Sequence, residues 1–471
     1  MDSQTKRRFS RILYEALDQQ GYSATRINRR SDMTHELLSK KTTKWGDTCT
    51  FVAGSTGEGV SKLYSGDVDL MYILPGIVCV DEYNGEEGLL VVTNEYSRTK
   101  PGYVRLRVNS DFQYIEALKK KLCTSMNEEG NVYLNSKGTK LFLGSRQVPF
   151  QREINGPAIT SLYTCRDVSQ MFFPEFIPIL SMFENPGTFI ETDQVIGLPF
   201  YSFTCLDRWL KRERFYEWPS ETLQNKIASM IGYVVPVGNK SSQEPDIEWR
   251  ISYTTAEKEL VRNMNSGQVK VYVVLKLVQK ERLKPVCKNF TSYMVKNLVF
   301  GVLEKSPMSM FTPDTLVDGI MSAFVMLKEC LERKTLPCYM IAERNLFAER
   351  LGEEDIASLS AEVDKIIQEG YVFLLKNHKV SLSMHLNYFC PDRAASFARW
   401  IEEIEDIFFA QMARSNKANF NYLTFRLLQL ICPDMVTDMV TDALAGKKID
   451  KAFFIGRFVV RYLNTLKNVL S

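Results

Sequence analysis

The spacing of apolar residues divides this chain into a mixed first part and a helical second part. Phe9, Ile12, Leu13 and Leu17 share one side of a predicted helix, which ends at Gly21. Short apolar runs typical of β-strands then follow at 68–76, 88–96, 103–108 and 187–200. We therefore expect the first 200 residues to mix strands and helices in an α+β fold.

From about residue 220 the apolar residues recur every three to four positions, which is typical of amphipathic helices. Such segments occupy 254–264, 269–283, 292–305, 315–334, 359–375, 396–413 and 453–470. The polar, glycine-containing stretch 237–247 is expected to be a mobile loop. The sequence thus predicts a helical region after the mixed one.

Length and composition indicate a large globular protein. The chain has 471 residues, of which 45% are hydrophobic and 24% charged, so two or more structural units are expected. No run approaches the roughly 18 apolar residues that span a bilayer, and the N-terminus lacks the pattern of a secretory signal. We expect a cytoplasmic protein that does not contact membranes.

Cysteine and histidine give little support to metal or disulfide chemistry. The ten cysteines include no CxxC pair, and they are expected to be small core residues. The three histidines do not stand at ligand spacing from a cysteine pair, so no structural zinc site is predicted.

Positive charge is concentrated near the N-terminus although the net charge is only +3. Residues 1–46 contain ten basic and five acidic residues, a local excess of +5, and a second basic run covers 208–214. Two interpretations remain open: a solvated protein surface, or a surface for the phosphates of a nucleic acid.

The stretch GSTGEGVSKLYSGDVDLM (54–71) contains two acids in a predicted strand. Side chains alternate along a strand, so Asp67 and Asp69 point to the same face, where they repel each other unless a cation lies between them. Carboxylates are the hard ligands that Mg²⁺ prefers. The alternative interpretation is a solvated strand face that carries two acids.

Gly54 and Ser55 favour the metal interpretation. A Gly-Ser turn lets backbone N–H groups approach a phosphate, and the hydroxyl adds a donor. The glycines fit neither a Walker A loop nor a Rossmann fingerprint. The whole stretch resembles the nucleotidyltransferase signature, which implies two Mg²⁺ (or Mn²⁺) ions and a third acid on a neighbouring strand. Asp193 is the preferred candidate, and Glu191 is the alternative.

Further segments narrow the resemblance. In chain order they are NGPAIT (155–160), EWPSETL (217–223), GYVVPVG (232–238), EWRISYTTAEKEL (248–260), SYMVK (292–296) and LPCYMIAERNLF (336–347). Together they resemble the cyclic GMP–AMP synthase family, with its cGAS-like receptors and Mab-type proteins, over roughly residues 1–350. The resemblance implies a two-lobed α+β fold, in which a mixed sheet and an N-terminal spine helix pack on a helical lobe. The implied domains are a nucleotidyltransferase core (1–215), a helical lobe (216–370) and a helical extension of unknown role (371–471).

The resemblance also implies site residues. Gly54 and Ser55 would bind the donor triphosphate, and Asp67, Asp69 and Asp193 would bind the metal and act in catalysis. Further nucleotide-binding residues would be Arg250, Ser252, Thr254, Glu257, Lys276, Ser292, Tyr293 and Lys296, with the Tyr293 ring stacking on a base. Asp193 would also lie near the nucleotide. Without the resemblance, each of these has an ordinary structural explanation, such as a surface ion pair for Arg250 and Glu257.

The implied function is a nucleic-acid-activated, innate immune enzyme that joins ATP- and GTP-type triphosphates into a cyclic dinucleotide, which a downstream receptor reads. Cys287 is the only cysteine or histidine between Glu257 and Ser292. The zinc-binding insertion of the vertebrate DNA sensor, which has one His and three Cys, is therefore missing. Double-stranded RNA is therefore at least as good a candidate activator as double-stranded DNA. Two alternatives are a catalytically silent Mab-type scaffold and a constitutive transferase that extends RNA ends.

Overall fold

The computed structural model describes residues 3–39, 49–61, 68–82, 90–109, 122–145, 152–164, 189–202 and 204–392, and short stretches up to 406. The chain forms two compact units. The first contains Met1–Asp18, Tyr22–Ser161 and Thr192–Met384. The second contains Gln19–Gly21, Leu162–Glu191 and His385–Ser471. All the described site residues below belong to the first unit.

The helices predicted at 254–264, 292–305 and 315–334 are observed within about two residues of these bounds, whereas the one predicted at 359–375 begins and ends six residues earlier. The described helices are α1 (Ser3–Gln19), α2 (Ala24–Ser39), α3 (Gly54–Gly57), α4 (Ser136–Ser145), α5 (Asp207–Leu210), α6 (Glu221–Ala228), α7 (Thr254–Arg262), α8 (Ser266–Val278), α9 (Lys284–Val286), α10 (Ser292–Glu304), α11 (Leu316–Glu332), α12 (Glu353–Glu369) and α13 (His378–Phe389). A π-helical turn, Gln279–Leu283, joins α8 to α9. Among these helices, none is both long enough and apolar enough to cross a membrane.

The strands come from both parts of the chain. They are β1 (Cys49–Ala53), β2 (Val68–Ile73), β3 (Ile77–Val80), β4 (Leu90–Glu95), β5 (Tyr103–Val108), β6 (Cys123–Met126), β7 (Val132–Asn135), β8 (Arg152–Asn155), β9 (Ala158–Thr164), β10 (Phe189–Phe200), β11 (Gly232–Val235) and β12 (Glu248–Ser252). Mixed strands and helices agree with the predicted α+β class.

Strand β10 connects two parts of the sheet. Its residues Thr192–Gly197 pair in parallel with β2, which also pairs antiparallel with β1. Its last residues, Leu198–Phe200, pair antiparallel with β11. From β11 the order continues through β12, β5 and β4 to β3, and β3 also pairs with β10. The β6–β7 hairpin joins β5, while β9 pairs with both β8 and β10.

The region after residue 220 differs from the prediction at β11 and β12, which are strands. In β12 the side chains alternate: Trp249 and Ile251 are buried, while Arg250 and Ser252 are partly exposed. This period of two is a strand signal, and the stretch is too short to show a helical period. The neighbouring 237–247 loop is tied down, because the buried Glu248 carboxylate accepts hydrogen bonds from Asn239 N (2.9 Å) and Ser242 Oγ (2.6 Å).

Helix α8 lies in the core of the first unit. Asn265 caps it in a reciprocal capping box with Gln268, and nearly every following residue is buried, from Val269 to Leu275. Helix α1 packs beside α11, where Ser10 Oγ accepts from Val317 N (3.4 Å) and Arg11 pairs with Asp314. The predicted segment 453–470 lies outside the described residues, as does most of 396–413.

In the second unit, the Gln19 side-chain amide donates to Asn387 Oδ1 (2.6 Å). The rings of Tyr388 and Phe389 meet edge to face with centroids 4.8 Å apart. The predicted boundaries at 215 and 370 remain a prediction.

Candidate active site

Gly54 begins helix α3 directly after strand β1. Its φ is +61°, and a Cβ atom at this position would lie 1.8 Å from Asp69 Oδ2. Only glycine fits such a backbone so close to a carboxylate. The Gly-Ser turn and the acid-bearing strand therefore meet directly, across the Ala53–Asp69 pair of β1 and β2.

Asp69 and Asp193 occupy the same register in parallel strands β2 and β10. Residues in register on neighbouring strands point to the same face, so the two carboxylates lie side by side. Thr160 Oγ1, on β9, donates to Asp193 Oδ1 (2.5 Å), and the Asp193 side chain has no other hydrogen bond to a described residue. Asp67 lies outside the described residues, and so does the side chain of Glu191.

Two of the predicted nucleotide-binding residues, Ser55 and Lys276, also meet, and this pair is called the phosphate clamp below. Lys276 Nζ, near the end of α8, donates to Ser55 Oγ and lies 3.4 Å from Ser61 Oγ. Its ammonium is 5.7 Å from the centre of the Tyr272 ring. The structure therefore brings Ser55 and Lys276 together, although 221 residues separate them in the chain.

The acids present are suited to a hard divalent cation. Asp69 and Asp193 supply carboxylate oxygens on one face, which is the donor chemistry that Mg²⁺ and Mn²⁺ prefer. Among the described residues, no three His, Cys, Asp or Glu side chains form a metal-binding group. The described part of the site fits the ion with two of its three predicted ligands, and Asp67 is the third.

A second group of predicted residues surrounds the end of β12. Ser252 Oγ and Thr254 Oγ1 share a hydrogen bond of 2.7 Å. The Arg250 guanidinium makes no hydrogen bond to the described residues, and burial together with the charge of Arg344 lowers its pKa. Ser292 is exposed at the first position of α10. These groups remain available to a ligand.

Arg344 is a functional candidate that sequence reasoning missed. Its guanidinium forms a two-pronged ion pair with Glu349 (2.7 and 2.8 Å) and lies 5.7 Å from the Tyr103 ring centre. Tyr103 pairs with Arg250 across β5 and β12. Arg344 thus adds a buried guanidinium close to the partly exposed one of Arg250.

Glu349 gives the site a testable pH dependence. Burial alone would raise its pKa, but the hydrogen bonds from Arg344 and the charges of Arg344 and Arg250 outweigh burial, so the pKa lies below its ordinary value of 4.5. This carboxylate therefore stabilises the folded state fully above the ordinary pKa, and the contribution is lost as the pH falls through the lower folded pKa. In urea unfolding, Glu349→Gln should cost about 1.5–3 kcal/mol near neutral pH. The difference should shrink below about pH 4.

The control for this prediction is Glu353→Gln, because Glu353 forms an exposed ion pair with Lys334. It should change stability by less than about 1 kcal/mol at either pH. A Glu349→Gln cost that is the same at both pH values would contradict the assignment.

A buried chain of polar side chains contains three of the predicted residues. Lys296 Nζ bridges Glu58 Oε1 (2.9 Å) and Glu257 Oε2 (2.6 Å). Tyr272 donates to the other oxygen of Glu58 (3.1 Å), and Tyr293 donates to the other oxygen of Glu257 (2.9 Å). Lys296 is only 6% exposed, so its described contacts are with protein carboxylates.

The two basic segments have different surroundings. Arg212 and Arg214 both pair with the buried Glu304 at 3.0 Å, so half of the 208–214 run is structural. Near the N-terminus, Arg30 is buried over the Tyr22 ring, whereas Arg29 is exposed. Residues 40–48 lie outside the described part of the chain.

Thr160 and Glu58 also contribute to the site, although the sequence gives only weak indications of their roles. Thr160 closes the NGPAIT segment, which the sequence linked to the family without a role for its threonine. Glu58 follows the Gly-Ser turn by three positions, but a single acid in a glycine-rich stretch gives no sign of burial. Only the assembled fold places Glu58 beside Tyr272 and Lys296.

The Gly54 geometry predicts a position-specific loss of stability. Gly54→Ala places a side chain in the left-handed region, at a cost of about 1–2 kcal/mol. It also forces Asp69 to move, at a further cost of about 1–3 kcal/mol. Gly130→Ala is the matched control, because Gly130 has φ +81° with nothing within 4 Å of a Cβ atom. Equal losses for the two variants in urea unfolding would show that the Asp69 contact is unimportant.

Comparison with known families locates a related domain in the helical part. Residues 267–365 match the family described as Mab-21 protein HhH/H2TH-like domain. The matched segment contains Lys276, Ser292, Tyr293 and Lys296, and it ends within α12. The acids and the Gly-Ser turn precede it. The match covers about a fifth of the chain, so the similarity to this family is shown for the helical segment 267–365.

Proposed function

We propose that this protein is a nucleotidyltransferase that joins two nucleoside triphosphates, of the ATP and GTP type, into a cyclic dinucleotide. The observation that carries the proposal is the in-register pair of Asp69 and Asp193 beside the Gly54–Ser55 turn. A carboxylate pair alone is common on strand faces. The contact of Asp69 with a backbone that only glycine can form is much more specific, and the next residue, Ser55, is hydrogen-bonded to Lys276.

The donor triphosphate would bind at Ser55 and Lys276. The hydroxyl and the ammonium supply hydrogen bonds and positive charge to phosphate oxygens. Asp67, Asp69 and Asp193 would hold Mg²⁺ or Mn²⁺, which neutralises phosphate charge and makes an attacking hydroxyl easier to deprotonate. Thr160 restrains one oxygen of Asp193 by its hydrogen bond.

The acceptor nucleotide would bind at the end of β12 and the start of α10. Arg250 offers a guanidinium without a described hydrogen bond, and Ser252, Thr254 and Ser292 offer hydroxyl groups. Tyr293 is partly exposed and its hydroxyl is held by Glu257, so its ring could stack on a base with a fixed orientation. Glu257 would act here through Tyr293.

A double-stranded nucleic acid, RNA or DNA, would activate the enzyme in the cytoplasm. The exposed Arg7, Arg8 and Arg29 provide positive charge on α1 and α2 for its phosphates. The product would be a second messenger in innate immune sensing, read by a separate cyclic-dinucleotide receptor. The activator, the signalling role of the product and its receptor are proposed because the family resemblance implies them.

One assay tests the whole proposal. Purified protein is incubated with labelled triphosphates, Mg²⁺ or Mn²⁺, and double-stranded RNA or DNA, and the products are identified by mass. We expect a cyclic dinucleotide that requires a nucleic acid. Replacing the exposed Arg29 and the partly buried Arg26 with Glu should remove the stimulation. Arg30 is excluded from this variant because its burial would confound folding with binding.

A catalytically silent scaffold is the second candidate. It is favoured by the fact that the family match at 267–365 lies wholly outside the segment with the acids. A wild-type protein that forms no product under any ligand would support the scaffold. Products that lengthen an added RNA would instead identify a transferase acting on RNA ends.

A further inference from the structure

Glu58 lies where the Gly-Ser turn meets the helices of the first unit. It follows α3 directly, and its backbone N–H donates to Gly54 O (3.0 Å). The turn is further closed by Val60 N and Ser61 N, which both donate to Ser55 O (3.0 Å each). Any displacement of Glu58 is therefore transmitted to the backbone that carries Ser55.

The Glu58 side chain is buried and held by two helices. Its exposed fraction is 4%, and its carboxylate accepts from Tyr272 on α8 and from Lys296 on α10. The Tyr272 hydroxyl also lies next to Ser55, whose hydrogen bond opposes the rise in the Tyr272 pKa that burial and Glu58 cause. Ser55 thus receives support from Glu58 through its backbone and through Tyr272.

Lys296 extends this connection to the acceptor side. Its ammonium joins Glu58 to Glu257, and Glu257 accepts from the Tyr293 hydroxyl. The order of contacts is Tyr272, Glu58, Lys296, Glu257 and Tyr293. Each carboxylate has one oxygen on the lysine and the other on a tyrosine, so both acids have a described partner at each oxygen.

We propose that Glu58 is a positioning residue for triphosphate binding, which holds Ser55 against Lys276 and links this clamp through Lys296 to Tyr293. The inference rests on the proposed nucleotidyltransferase function. In this inference Lys296 supports the clamp and does not bind the nucleotide. If Lys296 turned toward a nucleotide, Glu58 and Glu257 would both lose the cation that bridges them.

The test measures triphosphate binding without requiring turnover. A fluorescent, non-hydrolysable ATP analogue is titrated with Mg²⁺ into wild-type protein and into Glu58→Gln. We expect the Kd to rise by roughly tenfold to a hundredfold, because a small misplacement of a binding group has effects of that size. If wild type turns over, the KM for the donor should rise with kcat changed by less than about threefold.

Two further variants separate positioning from general destabilisation. Glu304→Gln is the matched control, because Glu304 is also a buried acid on α10 that accepts a tyrosine hydroxyl, from Tyr339 (2.6 Å), and pairs with two cations. It should lower the melting temperature and leave the Kd unchanged. Tyr272→Phe, which removes one bond to Glu58, should weaken binding even if Glu58→Gln does not fold.

A double-mutant cycle tests whether Glu58 acts through Ser55. If it does, Ser55→Ala combined with Glu58→Gln should bind no more weakly than Ser55→Ala alone. Wild-type binding with an unchanged Kd in Glu58→Gln and Tyr272→Phe would overturn this inference and leave the proposed function intact. A wild-type protein that binds no triphosphate would overturn the proposed function, and the inference with it.

Discussion

Replacing Asp69 with Asn should lower the rate of cyclic dinucleotide formation on the order of a thousandfold, which corresponds to about 4 kcal/mol in the barrier. Asn has the same size but removes the negative charge that holds the divalent cation next to Asp193. The effect should appear in kcat, because the charge acts on the transferring phosphoryl group more than on the bound triphosphate.

The control for this prediction is Asp207→Asn. Asp207 lies on the surface of α5, where it pairs with the exposed Lys211, and its loss should leave the rate within about twofold. Circular dichroism and the melting temperature of Asp69→Asn should match wild type. An Asp69→Asn protein with the wild-type rate and product profile would refute the catalytic proposal.

Replacing Lys296 with Met should lower the free energy of unfolding by about 3–5 kcal/mol. The variant leaves Glu58 and Glu257 buried without the cation that joins them. Breaking one partner of a buried ion pair is costly because the remaining charge still has no water around it. Urea unfolding followed by tryptophan fluorescence measures this difference.

The matching control is Lys328→Met, which removes the more exposed ion pair with Asp364. Its cost should be about 0–1 kcal/mol. A triple variant, Glu58→Gln, Glu257→Gln and Lys296→Met, should recover part of the stability, because it leaves no charge in the buried site. A loss below about 1 kcal/mol for Lys296→Met would mean that water or movement solvates these acids in the native state.

Much of the fold could be predicted where the apolar pattern is long. Helix α1 ends at its predicted break, and α11 follows the predicted segment 315–334 almost to the residue. Strands β11 and β12 were missed because four or five residues are too few to distinguish a period of two from one of 3.6. Their assignment to the sheet depends on pairing with β10 and β5, which lie far away in the sequence.

The part of the site that lies within short sequence motifs could be predicted. The Gly-Ser turn and Asp69 lie within one stretch, and the resemblance favours Asp193 over Glu191 as the third acid. The register of β2 and β10 places Asp193 opposite Asp69. The partners of the charged side chains were not predictable. Nothing in the sequence indicates that Lys296 is buried between two acids. Nor does it indicate that the Arg250 guanidinium has no hydrogen bond to a described residue.

The wide separation of the interacting residues affects how the protein must be made. During synthesis the ribosome releases Ser55 and Asp69 long before Asp193, Lys276 and Lys296, with which they form the site. The ion pairs of helix α1 form later still, because Asp314 and Asp318, which pair with Arg11 and Lys6, are synthesised after these residues. A chain interrupted before Lys276 would therefore expose the basic helix α1 and leave Ser55 without its lysine partner. Chaperones would have to protect such an incomplete chain.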